Sequence, residues 1–241
     1  MKIKKLAIII MISIFILILL ICSYILIKNF WDLKETEKDS TDLIKEVIEI
    51  SPHNEENQTV IDWEKLETIN KDIIGWIKID GTNINYPIMK DLNLYYINHT
   101  YEKNYNKNGS IFTQTSNPFE AQKTIIYGHN NQNGIMFSEI ENFMNQEFFN
   151  KNQTFKIYTK SDIYDAKIFS IYSIGVNEEN KNIQNLSFNE SIEYYKNQSK
   201  FKVENQEITK NIVKISTCSY LNNKEIPTNQ RYYLIASLSK S

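Results

Sequence analysis

The sequence predicts a mainly β domain with a few inserted helices, its strands closed or nearly closed into a barrel, behind one apolar N-terminal helix. Three observations carry that reading. Leu6 to Ile27 form an apolar run without a charge. From Ile73 onward, about eight short β-rich runs alternate with turn residues. Between them lie only two or three stretches with helical spacing. Short, mostly antiparallel strands in one domain avoid exposed edges by closing on themselves.

The apolar run comes first. At about 1.5 Å rise per residue it spans a hydrocarbon core of roughly 30 Å. Lys2, Lys4 and Lys5 precede it; Lys28 and an acidic stretch from Asp32 to Glu37 follow. The positive flank predicts a cytoplasmic N-terminus and an extracellular remainder. The run is long for a cleaved signal peptide, and no small-x-small cleavage site follows it, so an uncleaved signal-anchor is expected. Cys22 raises the idea of lipid attachment, but bulky Ile21 precedes it where a small residue is wanted. The expected organisation is a cytoplasmic tip and membrane anchor over 1–28, a helical stalk or extension over 29–70, and the β-barrel over 71–241.

Residues 30–50 alternate in charge and place Leu33, Leu43, Ile44, Val47 and Ile48 at helical spacing. The polar stretch 51–59 reads as a loop. Asp62 can cap a short helix through Ile69, its side-chain oxygen meeting free N–H groups of the first turn. Strands are expected at IIGWIKI (73–79), ended by the turn dipeptide Asp80-Gly81, and at INYPIM (84–89), where Pro87 fits an edge or a bulge. Residues 91–98 read as a helical turn. SIFTQ (110–114) and KTIIYG (123–128) are further strands. Residues 136–149 carry Phe137, Ile140, Phe143 and Met144 on one helical face. Residues 154–159 and 163–175 form a hairpin, 187–199 a helix, and 211–218 and 231–238 two final strands.

Composition excludes several functions. The net charge is −2, with no basic excess to bind nucleic acid. Two cysteines are too few for a disulfide scaffold or a cysteine-based zinc site. There is no G-x-S-x-G elbow, no H-E-x-x-H, no Gly-rich phosphate loop and no EF-hand spacing. No cofactor or metal is called for.

Against that background three residues stand out, each at or beside a strand end: His129, Cys218 and Arg231. Arg231 is the only arginine in the chain, and Cys218 is the only cysteine outside the apolar run. A thiolate is a nucleophile, but a free thiol has a pKa near 8.5, so a partner must take its proton. An imidazole can do that and later return the proton to a leaving amine. A guanidinium stays charged and offers a fork of donors for a carbonyl or oxyanion. The plain alternatives are a small buried cysteine, a turn histidine and a surface arginine. Avoidance of Arg and Cys elsewhere favours the chemical reading. His53 sits in a polar loop and reads as solvated; His99 reads as structural.

At these residues the sequence resembles the sortases, membrane-anchored cysteine transpeptidases of Gram-positive bacteria. IIYGHN (125–130) resembles their His motif. KISTC (214–218) resembles their T-L-x-T-C motif, with Lys214 and Ile215 in place of Thr and Leu. Arg231, opening the last strand, matches their Arg. GTNINYPIM (81–89), NGSIF (108–112), the helical N-terminal extension and a helix inserted before the Cys strand resemble class B. That resemblance implies an eight-stranded sortase barrel with His129, Cys218 and Arg231 as catalytic residues. It implies Ser216 and Thr217 along a signal-binding groove and the backbone N–H of Ser219 as a second oxyanion donor. Tyr194 and Tyr195 are weighed as groove walls against core packing of their helix.

The implied activity is cleavage of a sorting signal after Thr, of N-P-x-T-[NG] or S/P-P-x-T-G type, and transfer to a peptidoglycan amine or a pilin lysine. Two other readings compete. L,D-transpeptidases also use Cys, His and Arg, but they resemble S-H-G-C with Arg close behind; here Arg231 lies 13 residues later and that string is absent. A non-catalytic, membrane-tethered binding module predicts an inert, buried Cys218.

Overall fold

A computed structural model describes residues 2–51, 58–204, 206–221 and 228–241. The chain divides into two compact units, 1–42 and 43–241. The first is helical. Its helix α1 (Lys2–Val47) continues into the second unit. Among the described residues α1 alone is long and apolar enough to cross a membrane, with mean hydropathy 3.3 in its most apolar window.

The second unit begins with the last turn of α1, whose Leu43 and Val47 join a buried cluster with Leu66, Trp76 and Phe112. Strands β1 (Ile48–Ser51) and β2 (Gln58–Ile61) then form an antiparallel ladder. This ladder corrects the expectation of a helix to residue 50 and of a loop at 51, 58 and 59; residues 52–57 of that expected loop lie outside the described residues. The alternation Ile48-Glu49-Ile50 is too short to separate a period of two from a helical one. Helix α2 (Trp63–Ile69) starts where expected, because the Asp62 carboxylate accepts from the Lys65 N–H at 2.9 Å.

Eight strands form the barrel: β3 (Ile73–Lys78), β4 (Asn85–Lys90), β5 (Ile111–Thr113), β6 (Lys123–Tyr127), β7 (Thr154–Tyr158), β8 (Ile163–Gly175), β9 (Ile212–Cys218) and β10 (Gln230–Lys240). They close in the order β10-β8-β7-β3-β4-β5-β6-β9. Gly81, at φ +78°, makes the turn from β3 to β4. Pro87 pairs with Trp76 of β3, one residue before β5 joins the other side of β4, so its missing N–H breaks no β5 bond. Most pairs are antiparallel; β4–β5 and β6–β9 are parallel.

Two parts of the helical reading change. Residues 136–149 do not form one helix. A 3₁₀ segment (Ser138–Met144) precedes α3 (Gln146–Lys151), and they part at Asn145, whose side chain caps α3 through the Phe148 N–H. The apolar spacing was informative about burial, since Phe137, Ile140 and Phe143 are fully buried. Their interval of three is the 3₁₀ period. Helix α4 (Val176–Ile183) was not expected, because NEENKN has no apolar periodicity. Helix α5 (Phe188–Gln198) was, and Ser187 with Glu190 closes a capping box at its start.

Burial holds the barrel. Each fully buried Ile or Phe contributes about 1.5–3 kcal/mol. Exposed pairs such as Lys160–Glu67 at 2.6 Å contribute about 0–1 kcal/mol. Buried Ile77, Ile126, Ile157, Ile171, Ile215 and Ile235 run through six of the eight strands. The topology then fixes one rim. Since β6 and β9 are parallel, their C-terminal ends lie at the same end of the barrel. Since β10 is antiparallel to β9, its beginning lies there too.

Candidate active site

Register brings the three singled-out residues to that rim. Tyr127 of β6 pairs with Ser216 of β9; two residues further on each strand stand His129 and Cys218. Arg231 pairs directly with Cys218 across the β9–β10 ladder. Opposed residues in an antiparallel pair hold their Cβ atoms about 4.5–5.5 Å apart on one face. All three side chains are half-buried and line one cavity of about 340 Å³.

Local contacts hold each in place. Gly128 precedes His129 in a space that takes no side chain: a Cβ there would meet Ile111 Cδ1 at 2.4 Å and Phe137 Cδ2 at 2.6 Å. His129 Nε2 lies 2.7 Å from the carbonyl oxygen of Ile97, in the 3₁₀ turn Tyr95–Ile97. A carbonyl only accepts, so Nε2 carries the hydrogen and Nδ1 of the neutral ring is left as the proton acceptor. Arg231 Nη1 donates to the carbonyls of Thr228 at 3.0 Å and Gln230 at 2.8 Å, which fixes the plane of the fork.

Two further side chains tie the His segment to the Cys strand. Thr217 Oγ1 donates to the Gly128 carbonyl at 2.7 Å. Asn130 Nδ2 donates to the Cys218 carbonyl at 2.9 Å, while its Oδ1 accepts from the Gln132 N–H. Asn130 is 1% exposed, so this crosslink is closed to water. Sequence reasoning quoted Asn130 only as part of a motif. An asparagine beside a half-buried histidine was the available signal.

The other residues named from sequence divide. Ser216 and Thr217 line the cavity. Ser219 does not: its N–H donates to the Gln230 carbonyl at 3.0 Å, and its hydroxyl accepts from Ser173 at 2.6 Å. The N–H expected to serve an oxyanion is here engaged by the β9–β10 ladder, which continues one residue past Cys218. Tyr195 is fully buried in a cluster with Phe169, Ile192 and Ile235. Tyr194 gives its hydroxyl to Glu179 at 2.9 Å. Both sit behind the cavity rather than in its wall. His99 stacks on Tyr95 and donates Nδ1–H to the Tyr95 carbonyl at 2.7 Å, apart from the cavity. His53 lies outside the described residues.

The walls divide by character. Leu94 and Ile97, at the 3₁₀ turn, line the cavity, as do Val176, Asn180 and Ile183 of α4. Beneath α4 lies a buried ion pair that sequence reasoning did not find, Lys214 of β9 with Glu179 of α4, exposed by 2% and 1%. Burial pulls the Lys214 pKa down to about 8 in spite of the carboxylate beside it. The arrangement is a half-buried thiol, an imidazole whose Nε2–H is tied to a carbonyl, and a forked cation, all lining one cavity of about 340 Å³. It suits acyl transfer through a thioester.

Known proteins share this fold. A family model for the Sortase domain matches residues 77–239. Sortase B of Staphylococcus aureus (strain NCTC 8325 / PS 47) is 29% identical over 160 residues, which is 65% of each chain. Sortase B of Listeria monocytogenes serovar 1/2a (strain ATCC BAA-679 / EGD-e) is 36% identical over 110 residues, 44% of this chain and 45% of the relative. The chain thus spans less than two thirds of the length of these curated relatives. The solved Staphylococcus aureus sortase B–substrate complex matches with a TM-score of 0.64 at 26% identity, over 86% of this chain and 94% of that one. The match of the domain model from β3 to the end of β10, on the closed eight-stranded barrel that these enzymes share, shows that the chain belongs to the sortase family, with sortase B proteins among its relatives.

Proposed function

We propose that the chain is a sortase B-like cysteine transpeptidase acting on C-terminal sorting signals. The observation that carries this is the convergence of Cys218, His129 and Arg231 on one cavity at one barrel rim. A relative solved as a substrate complex supports a peptide in that groove.

In the first half-reaction Cys218 Sγ attacks the carbonyl carbon of the signal threonine. A C–S bond forms, the amide C–N bond breaks, and His129 hands the thiol's proton to the leaving amine. In the second, an amine nitrogen attacks the thioester, His129 takes its proton, and the thiol is restored. Arg231 holds the carbonyl oxygen as it becomes an oxyanion, with the N–H groups not committed to Thr228 and Gln230. The signal is of N-P-x-T-[NG] or S/P-P-x-T-G type, and the acceptor is a peptidoglycan precursor or other cell-wall amine, or a pilin lysine. Residues 1–28 anchor the enzyme with its N-terminus in the cytoplasm, 29–70 form the stalk and N-terminal extension, of which 43–70 belong to the same compact unit as the barrel, and 71–241 face the cell wall. The charge on Lys2, Lys4 and Lys5 supports that orientation.

The test uses the full chain in detergent micelles and a small panel of fluorogenic peptides of both signal types. Intact mass is expected to show a Cys218 thioacyl adduct and peptides cut after Thr. Cys218→Ala is expected to abolish both. Retained turnover in that variant would remove Cys218 as nucleophile. Absence of an adduct, with Cys218 inert to a small thiol reagent in the folded protein, would favour a non-catalytic tether.

A further inference from the structure

One wall of the cavity that Cys218 lines is built in an unusual way. Helix α4 has eight residues, and among its described residues Glu179 alone is buried. Its N-cap is Gly175, with no side-chain cap bond. Apart from Ile183, which packs half-buried against the cluster of Phe169, Tyr195 and Ile235, and the Val176 N–H bound to the Asn229 carbonyl, the helix has no apolar stripe and no side-chain cap to seat it. Its neighbour α5 has both: a capping box and the buried Ile192 and Tyr195.

What seats α4 is polar. The Glu179 carboxylate takes a contact from Lys214 Nζ of β9. It also accepts from the hydroxyl of Tyr172 of β8 at 2.8 Å and of Tyr194 of α5 at 2.9 Å. The Lys214 ammonium lies 3.9 Å from the ring centroid of Tyr233 of β10 and 4.9 Å from that of Tyr195. A cation over aromatic faces keeps part of its stabilisation without water. Burial and the nearby carboxylate push the Tyr172 hydroxyl well above its ordinary pKa, so it remains a donor. The cluster joins α4 to β8, β9, β10 and α5 at one point. Lys214 stands four residues before Cys218 on the same strand, and both it and Glu179 border the cavity.

We propose that Lys214 and Glu179 are positioning residues: their pair pins α4 to the strand that carries the nucleophile and so sets the width of the signal groove. Neither touches the reacting atoms. The pair acts through Val176, Asn180 and Ile183, the α4 side chains that line the groove. Lys214 is also where KISTC departs from the T-L-x-T-C pattern, so this chain seats its wall with a charge that the pattern lacks. The kinetic consequence rests on the transpeptidase reading above; the seating of α4 does not.

The test compares the native chain with Glu179→Gln, with the double variant Lys214→Met/Glu179→Gln, and with Lys214→Arg. Glu179→Gln is expected to fold, since a lysine already near a pKa of 8 can shed its proton when its partner is neutral. The double variant removes both charges at similar volume and guards against a folding failure. Steady-state kinetics on the best sorting peptide are expected to show KM raised about fivefold or more, an energy near 1 kcal/mol by the tenfold-per-1.4-kcal/mol relation. The kcat is expected within about twofold, and Lys214→Arg is expected to recover most of the native KM. The rate of Cys218 modification by a small methanethiosulfonate is expected to stay unchanged. In parallel, amide hydrogen exchange over 176–183 is expected to speed up at least tenfold in the two neutralised variants, while β9 stays protected. Native KM in the double variant, or a loss confined to kcat, would overturn the proposal. If the native chain turns over no peptide, the exchange arm alone decides, faster exchange over α4 supporting the seating and unchanged exchange overturning it; the transpeptidase reading itself fails only if Cys218 is also inert to the thiol reagent.

Discussion

The two ends of the groove are polar for opposite purposes. At the thiol end, Cys218, His129 and Arg231 are half-buried, and each is held by backbone: strand register for Cys218, the Ile97 carbonyl for His129, the Thr228 and Gln230 carbonyls for Arg231. Their functional atoms are left open. At the α4 end, Glu179 and Lys214 are closed to water and spend their polar capacity on each other and on tyrosines. A group held by backbone carbonyls keeps its reactive atom available. A group satisfied by other side chains becomes structure. Exposure therefore separates chemistry from positioning here better than residue type does.

The comparison breaks first at His129. On the proposed mechanism His129→Ala removes the proton carrier, and a positioned acid–base group is worth about 10²–10⁴-fold in rate. The expected outcome is a loss of that order in kcat for peptide cleavage. An unchanged kcat would move the proton transfer elsewhere, with His99 the next residue to test. Arg231→Lys comes next. The charge stays, the fork is lost, and only a single point donor remains. A lost oxyanion donor typically costs about 2.7–4 kcal/mol; because lysine keeps its charge, the expected fall in kcat/KM is at least about tenfold. Near-native turnover would make Arg231 a bystander.

Asn130→Ala tests the buried crosslink between the two catalytic segments. It leaves the Cys218 carbonyl without its partner in a place water does not reach. A buried group left unsatisfied costs about 1–3 kcal/mol, so a lower denaturation midpoint is expected, together with slower acylation of Cys218. Loss of stability with native acylation would confine Asn130 to folding.

How much of this was legible depends on how each element is made. The barrel strands announce themselves because β-branched runs such as IIGWIK and IVKIST end in turn residues. The three residues that converge on the rim cavity stood out because the sequence uses Cys and Arg so sparingly. The order of strands in the barrel was not, since parallel β6–β9 pairing joins segments some ninety residues apart. The Ser219 N–H read as free because sequence does not show where a ladder stops; it continues to Gln230. Helix α4 and the Lys214–Glu179 pair were invisible for the same reason as each other. A helix seated by one charge carries no apolar period, and an isolated Lys or Glu reads as solvated until its partner is seen.

The smallest test lies in two adjacent tyrosines behind the groove and separates the polar seat from the apolar packing around it. Tyr194 donates to Glu179; the Tyr195 hydroxyl is buried without a hydrogen-bond partner among the described residues. Both rings belong to the same packed layer, 5.8 Å apart. Tyr194→Phe removes a bond to a charged acceptor, worth about 1.5–3 kcal/mol, and is expected to lower stability and raise KM with α4 loosened. Tyr195→Phe removes a hydroxyl that was desolvated without recompense, so stability is expected to hold or to rise by up to about 1 kcal/mol. The Lys214 ammonium keeps a ring beneath it in either variant. Urea denaturation of the two variants side by side reads the difference. Opposite signs would show that the hydroxyl on Glu179, and not the aromatic layer as such, seats the helix. Equal losses would return the seat to ordinary packing.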